Sequence, residues 1–446
     1  MVRTTVPESA MNALLDAVDQ GNRRVKDAYP GAVVDRQPVH TVYGGAHLFA
    51  SNIAEKLGTL ALRAVHEFAP TSRALADALR LEPDLATLVH PRVIAKLALE
   101  PVEDYRIDFE DGFGHRSDDE EDQCAVKSAA ELVEAIARGT VPSGVGIRIK
   151  SFAEEQKRRC VRTFDLFLTR LLEADGHLPP NFVITLPKIT TPEHVAAMSS
   201  VCDAFEYWHE IPRGTLRLEL MAETTQSIVA ADGTAALPRL VAEGRGRVVA
   251  VHFGPYDYTA ACDVTSAYQQ LTHPACDFAR HMMQASLAGT GIRLSDGPTS
   301  VMPVGPHRPS TGKPLTEAQA DENRQVVHRA WRLHYDHVRR SLAAGFYQGW
   351  DLHPAQLPSR YAAVYAFFLE GLDEASERLR NFVERSARAT RVGDTFDDAA
   401  TGQGLLNYFL RAWNCGAITE QEAVEKSGLT IDELRGRSFL KILEKT

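Results

Sequence analysis

Short apolar, β-branched runs recur along the chain, and each is followed by a polar or glycine-containing turn and then an amphipathic stretch. In the amphipathic stretches, for example 122–138, 154–174 and 192–205, apolar residues recur at helical spacing. Eightfold alternation of strand and helix is typical of a parallel sheet covered by helices, and eight units predict closure into a (β/α)₈ TIM barrel. An open doubly wound sheet is the alternative, but no GxGxxG motif follows the first run. The eight predicted strands are residues 38–43, 104–109, 145–149, 182–186, 216–221, 247–253, 291–295 and 345–350.

The spacing of these units is uneven. Residues 51–96 are long enough for two or three helices, and the segment after Asp296 begins with a Pro/Gly-rich loop of the kind that often forms a lid or binding loop. We therefore predict a barrel with an N-terminal helical insertion over residues 1–360 and a C-terminal helical region over residues 361–446.

The C-terminal region shows no further strand pattern. Residues 361–388 are predicted to form one long helix, and 405–443 two or three short ones. The apolar face of the long helix needs a surface to bury against, so we expect this region to pack on the barrel rim or on a partner subunit. A Gly/Asp/Thr stretch between the two parts is predicted to be a loop and carries Asp394, Asp397 and Asp398.

Composition and net charge argue against nucleic-acid-binding, membrane-spanning and disulfide-rich proteins. The 446 residues are 44% hydrophobic and 24% charged, which suits one barrel with additions. A net charge of −10 argues against a nucleic-acid partner. No apolar run reaches the roughly 18 residues that a membrane helix needs. The six cysteines form no CxxC pair, which favours free thiols in a reducing compartment. We expect a soluble, cytoplasmic protein.

Ionisable residues stand at the ends of seven of the eight predicted strands. In a barrel, catalytic residues lie at the carboxyl ends of the strands, because the loops that follow form the active-site face. A helix cap or a turn would explain any single one of these residues, but seven converging on one rim indicate an active site. In strand order they are Glu110 and Asp111, Arg148, Lys188, Glu223, Asp257, Asp296, and Asp351 with His353.

Glu223 and Asp257 are the best candidates for metal ligands. They end neighbouring strands, which lie about 4.8 Å apart. Two carboxylates that close repel each other unless a cation lies between them. Oxygen-only ligands with open positions suit Mg²⁺, which takes water and substrate oxygens as its remaining ligands. The alternative is that Asp257 caps a helix beginning near Thr259.

Arg148 is the candidate for anion binding. It lies between Ile147 and Ile149 and so points to the opposite face, into the barrel mouth. A buried guanidinium needs an anion. Glu110 or Asp111 on the adjacent strand and a substrate carboxylate are both possible partners, and the sequence leaves the choice open.

Seven motifs in this order resemble the citrate lyase β subunit / malyl-CoA lyase / HpcH–HpaI aldolase superfamily across about residues 40–360. The motifs are Asp108-Phe-Glu-Asp111 for DLED, Gly146-Ile-Arg148-Ile for VRVN, Leu186-Pro-Lys188 for LPK, Met221-Ala-Glu223-Thr for ET(A/P), Phe253-Gly-Pro-Tyr-Asp257-Tyr for FGxxDL, Ser295-Asp-Gly-Pro298 for DGP, and His353-Pro-Ala-Gln356 for HPxQ. The chain departs from the family in its first strand and in Ile149-Lys150 after the arginine, and it is longer than a typical member.

The resemblance implies a Mg²⁺-dependent retro-aldol or retro-Claisen enzyme on a phosphoenolpyruvate/pyruvate-type barrel, usually a trimer or hexamer. Glu223 and Asp257 match the family's metal ligands, and Arg148 matches the arginine that holds the substrate's oxo and carboxylate oxygens. The expected substrate is a hydroxy or oxo acid, or its CoA ester, cleaved through a metal-stabilised enolate.

Candidate catalytic residues beside the metal pair are Arg148, Glu110, Asp111, Lys188, Asp296 and His353. The general base stays open among Asp111, Asp296, His353, a metal-bound water and a residue of a neighbouring subunit. Two other functions compete with this hypothesis. One is a class I aldolase in which Lys188 forms a Schiff base. The other is a barrel without catalysis that serves as a regulatory or scaffold subunit.

Overall fold

The protein is described by a computed structural model over residues 5–31, 36–309, 313–386 and 399–436. Its centre is a sheet of eight parallel strands. These are β1 (His40–Gly45), β2 (Asp104–Asp108), β3 (Gly144–Arg148), β4 (Phe182–Leu186), β5 (Arg217–Ala222), β6 (Val248–Phe253), β7 (Arg293–Ser295) and β8 (Gly349–Asp351). All eight predicted strands are confirmed, with bounds shifted by a few residues.

The sheet closes into a barrel. Strands β1 to β7 are paired in chain order, and β1 also pairs with β8. Between β7 and β8, the amide of Asp296 donates a hydrogen bond of 2.9 Å to the carbonyl of Gln348, and a parallel bridge joins Pro298 to Trp350. The predicted (β/α)₈ TIM barrel is therefore confirmed.

Helices alternate with the strands in the described part of the chain. They are α1 (Glu8–Ala28), α2 (Ile53–Phe68), α3 (Ser72–Leu79), α4 (Pro83–Leu99), α5 (Asp118–Arg138), α6 (Lys157–Asp175), α7 (Pro192–Trp208), α8 (Thr225–Ile228), α9 (Leu237–Glu243), α10 (Pro255–Ala261), α11 (Pro274–Leu287), α12 (Glu317–Ala343), α13 (Leu357–Glu370), α14 (Leu372–Ser386), α15 (Ala399–Asn414), α16 (Glu420–Ser427) and α17 (Ile431–Gly436).

The predicted insertion between the first two strands holds three helices, α2 to α4, as expected. The prediction of one long helix over 361–388 is wrong, because α13 ends at Glu370 and α14 begins at Leu372. Gly371 separates the two, and a residue without a side chain is a weak helix former. None of the helices in the described ranges is both long and apolar enough to cross a membrane.

Alternation along the strands separates two environments. Apolar residues such as Ile107, Ile147 and Ile184 are fully buried and belong to the main core between strands and helices. The opposite face lines the barrel interior, where a small cluster of Tyr43, Met221 and Trp350 lies apart from that core.

Below this cluster the interior is polar. The Glu219 carboxylate accepts hydrogen bonds from Arg106 (2.6 Å), Tyr43 (3.1 Å) and Thr185 (2.7 Å). The Glu219 side chain is almost fully buried, so these donors offset the cost of removing its charge from water. The charge of Glu219 in the barrel interior is thus compensated by its neighbours there. The charged side chains at the mouth form a separate group.

The C-terminal helices lie at the amino end of the barrel. Helix α13 packs on α4 and α12 and so runs down the outside of the barrel from the mouth. Beyond it, Arg411 on α15 donates to Gln37, which precedes β1, and Glu422 on α16 forms an ion pair with Arg92 on α4. Of the two surfaces expected for this region, the described helices pack on the barrel, along its side and at its amino end, and packing on a partner subunit stays a prediction. Asp394, Asp397 and Asp398 lie outside the described residues.

Candidate functional site

A cluster of charged side chains lies at the carboxyl end of strands β2 to β6, with the Lys188 ammonium inside it. Lys188 Nζ lies 2.5 Å from Glu110 Oε1, 3.2 Å from Asp111 Oδ2 and 3.5 Å from Asp257 Oδ2. The loops after β2, β4 and β6 supply these groups, so residues far apart in sequence meet because parallel strands end at the same rim.

The backbone of Lys188 is held in an uncommon conformation. Its φ is +49°, in the left-handed region that non-glycine residues rarely adopt. In that conformation its amide donates a 2.7 Å hydrogen bond to Glu223 Oε1. Backbone strain of this kind persists where surrounding contacts enforce it, and it is concentrated at functional sites.

Glu223 is the most perturbed carboxyl group of the cluster. It follows β5, is 1% exposed, and has a pKa raised to about 8. Burial is the main cause, the positive charge of Lys188 opposes it, and the negative charge of Asp257 adds to it. Gly254, after β6, allows the close approach, since a Cβ there would lie 2.5 Å from Glu223 Oε2. A buried acid with a negative neighbour is a group that a cation would stabilise in its ionised form.

Asp257 supplies the second carboxylate of the predicted metal pair. It lies in the first turn of α10, whose N-cap is Gly254, so it does not cap the helix itself. Its side chain is 44% exposed and open to the mouth. Within the described ranges no group of three or more His, Cys, Asp or Glu side chains has the geometry of a metal site. One buried and one open carboxylate still fit Mg²⁺, which commonly keeps several waters and is held by one or two carboxylates.

Arg148 is fixed by a bidentate ion pair. Its Nε and Nη2 donate to the two oxygens of Asp108 at 2.7 and 2.5 Å, and its Nη1 lies 3.2 Å from Glu110 Oε2. The ring of Tyr43 lies 4.9 Å from the guanidinium carbon, which adds a cation–π contact. These contacts occupy three of the five N–H groups of the guanidinium, and the fork is therefore fixed in one orientation.

Sequence reasoning missed two residues of this arrangement. Asp108 was part of the Asp108-Phe-Glu-Asp111 motif, yet only its neighbours Glu110 and Asp111 were named as candidates. Pairing of β2 with β3 places Asp108 directly beside Arg148, and this register could have been inferred from the matched ends of the two strands. Tyr43 gave a weaker signal, because an aromatic residue on an inward face of a strand is ordinarily a packing residue.

The structure does not bring Asp296, Asp351 and His353 into the cluster. Asp296 is buried, 3.2 Å from Arg280 Nη1, and accepts a 2.6 Å hydrogen bond from Ser341. Asp351 is buried in ion pairs with other side chains of the barrel wall, His40 among them at 2.8 Å. His353 Nδ1 accepts the amide of Ala355 and caps a short 3₁₀ turn.

The charges around Lys188 determine whether its side chain is an ammonium or a nucleophilic amine. Partial burial alone would lower the pKa of its ammonium, but Glu223, Glu110 and Asp111 together raise it above its ordinary value. The group is therefore protonated at neutral pH. A Schiff-base lysine needs the opposite shift, since only the neutral amine is a nucleophile.

A model of one protein family matches most of this chain. The model for "Domain of unknown function (DUF6986)" matches residues 18–442. No curated protein matches. Similar solved structures include Haloferax volcanii malate synthase as its lead(II) complex (13% identity, 90% of this chain, 98% of that chain, TM-score 0.43) and its magnesium/glyoxylate complex (13%, 91%, 97%, 0.43). Its pyruvate/acetyl-CoA ternary complex is also similar (12%, 91%, 97%, 0.40). Similarity at this level supports no conclusion about activity. The family model spans almost the whole chain, and this protein therefore belongs to the DUF6986 family.

Proposed function

We propose that this protein is a Mg²⁺-dependent carbon–carbon lyase that cleaves a hydroxy or oxo acid, or its CoA ester, by a retro-aldol or retro-Claisen reaction. The observation that carries the proposal is that the charge of open Asp257 raises the pKa of buried Glu223, while the Asp257 carboxylate lies 3.5 Å from the Lys188 ammonium. Arg148, fixed by Asp108, belongs to the same cluster. The motif resemblance along residues 40–360 supports the same reaction class.

Cleavage of a bond β to a carbonyl leaves an electron pair that must be accommodated as an enolate. Mg²⁺ held by Glu223 and Asp257 would supply positive charge where the enolate oxygen develops. Arg148 would bind the substrate carboxylate with its remaining N–H groups, and Asp108 would keep the fork oriented during the reaction.

The chain also offers a group to take the proton from the substrate hydroxyl. The Asp111 side chain is 59% exposed at the mouth. Burial would raise its pKa, but Arg148 and Lys188 lower it below the ordinary value. Asp111 is therefore ionised at neutral pH and open to substrate. Of Asp111, Asp296 and His353, Asp111 is the one that lies in the cluster, so we assign it this role ahead of a metal-bound water or a residue of a neighbouring subunit.

The two competing functions are separable by experiment. A class I aldolase would be inactivated by borohydride in the presence of its 2-oxo acid substrate, with a mass increase on Lys188, and would tolerate EDTA. The raised pKa of Lys188 argues against this mechanism. A scaffold barrel without catalysis would bind neither Mg²⁺ nor the acid at this site.

The direct test is a panel of 2-oxo acids, hydroxy acids and CoA esters, assayed in both directions with Mg²⁺ and with EDTA. A thermal-shift screen of the same compounds identifies those to assay first. We expect turnover with Mg²⁺ and loss of it in EDTA. Glu223→Gln and Asp257→Asn should abolish activity and metal binding without unfolding the protein. Glu317→Gln is the matched control, because Glu317 is an exposed carboxylate at the start of α12. Normal turnover in either site variant would refute the assignment.

A further inference from the structure

The first helix, α1, carries an apolar face that no other part of the described chain covers. None of its 21 residues is buried. Leu14, Val18 and Val25 are 66%, 54% and 59% exposed, and Met11 and Leu15 lie on the same side. Most helices in proteins owe their stability to burying such a face against a neighbour.

Helix α1 is attached to the amino end of the barrel. The amide of Gly31, just beyond it, donates a 2.8 Å hydrogen bond to the carbonyl of Gly289, in the turn before β7. Helix α1 therefore joins the barrel at the end opposite Lys188 and Arg148.

The charges of α1 are arranged with opposite signs in its two halves. Residues 8–19 carry only the acids Glu8, Asp16 and Asp19, whereas residues 20–28 carry Arg23, Arg24 and Lys26 with a single acid, Asp27. Two copies laid antiparallel bring the acidic half of each against the basic half of the other. A parallel pair would place like charges side by side.

The apolar residues of α1 are also placed symmetrically about its midpoint, Val18. Met11 and Val25 are each seven residues from Val18, so an antiparallel pair centred on Val18 packs Met11 of each copy against Val25 of the other. Glu8 and Lys26 are eighteen residues apart, about five helical turns, so they lie on one flank and meet across the same pair.

A membrane surface fits α1 less well. The helix carries four acidic and three basic residues, whereas helices that lie on anionic membranes have a basic polar face. Its apolar face also has no Trp or Phe between Glu8 and Ala28.

We propose that α1 is a self-association helix that pairs antiparallel with α1 of a second copy of this chain, centred on Val18. The pairing lies outside the catalytic mouth and does not depend on the function proposed above. It links two barrels through their amino ends.

Light scattering on the full-length protein tests whether α1 mediates association. We expect Val18→Glu to halve the oligomeric mass, because it places a charge at the centre of the pair. Ala13→Glu is the matched control, since Ala13 lies on the opposite side of the helix and gains the same charge. Unchanged mass in Val18→Glu, or a monomeric wild type at tens of micromolar, would overturn the proposal. Circular dichroism of both variants distinguishes dissociation from unfolding.

Engineered cysteines test the direction of pairing. Under mild oxidation, Val18→Cys should give a disulfide-linked dimer, and a mixture of Met11→Cys protein with Val25→Cys protein should give the mixed dimer. Met11→Cys alone should not cross-link, because the two Met11 residues lie at opposite ends of an antiparallel pair. Efficient cross-linking of Met11→Cys alone would indicate parallel helices and refute the proposed geometry. The wild type, with six free cysteines, sets the background.

Discussion

Lys188 donates its backbone amide to Glu223 Oε1 at 2.7 Å while its ammonium lies among three other carboxylates at the barrel mouth. One residue thus fixes the orientation of the buried acid and neutralises the acids around it. Because the φ of Lys188 is left-handed, its backbone amide reaches Glu223 while its side chain reaches the other three carboxylates.

The stabilisation of the protein by Mg²⁺ should grow with pH. The folded pKa of Glu223 is about 8, above its unfolded value, so the folded state without metal holds this proton and loses stability as pH rises toward 8. Mg²⁺ binds the carboxylate and must displace the proton, so below pH 8 its affinity should rise about tenfold per pH unit. Differential scanning fluorimetry at pH 6 and pH 8 measures this as a larger Mg²⁺-induced shift in Tm at pH 8. A shift equal at both pH values would contradict a metal role for Glu223.

Removing the ammonium of Lys188 should make the fold depend on the metal. In Lys188→Met, the carboxylates of Glu110, Asp111 and Asp257 lose their nearest compensating cation and repel one another. We expect a lower Tm than wild type in EDTA and substantial recovery in millimolar Mg²⁺. Lys157→Met is the control, because the Lys157 ammonium pairs with Glu154 on the surface. If Mg²⁺ restores nothing in Lys188→Met, the cluster does not bind the ion.

Arg148→Lys should keep the charge but lose the planar fork. A lysine cannot donate to both oxygens of Asp108 and still present two donors to a substrate carboxylate. We expect kcat/KM to fall by roughly 10²-fold or more, the usual effect of losing a positioned anion donor. Steady-state kinetics with the substrate found in the panel provides the measurement. Unchanged kinetics would mean that Arg148 serves only as the ion-pair partner of Asp108.

Cutting the chain after Arg360 should prevent folding and not merely remove an accessory region. Tyr361, Val364 and Phe368 of α13 are almost fully buried against the barrel, and their loss exposes a large apolar surface. We expect an insoluble product, whereas a chain ending at Gly371 keeps α13. Expression yield and circular dichroism compare the two. A soluble, cooperatively folded chain ending at Arg360 would show that α13 is dispensable.

The sequence by itself determined the strands and the rim. The strands appear as short runs rich in apolar and β-branched residues, and the polar residues that follow them mark the carboxyl ends. For this reason all eight strands, and the positions of Arg148, Lys188, Glu223 and Asp257 at one rim, could be predicted from pattern alone.

Only the tertiary structure decided which of these groups meet. Asp296 and Asp351 also stand at strand ends. Because successive residues of a strand point to opposite faces of the sheet, a shift of one position along the strand decides whether a side chain points into the barrel or into the helix layer. Asp296 therefore pairs with Arg280 and Asp351 with His40, while Asp108 turns inward to hold Arg148. Contacts between segments far apart in sequence also decide the left-handed turn at Lys188 and the position of the C-terminal helices at the amino end. A local sequence pattern carries no information about such contacts.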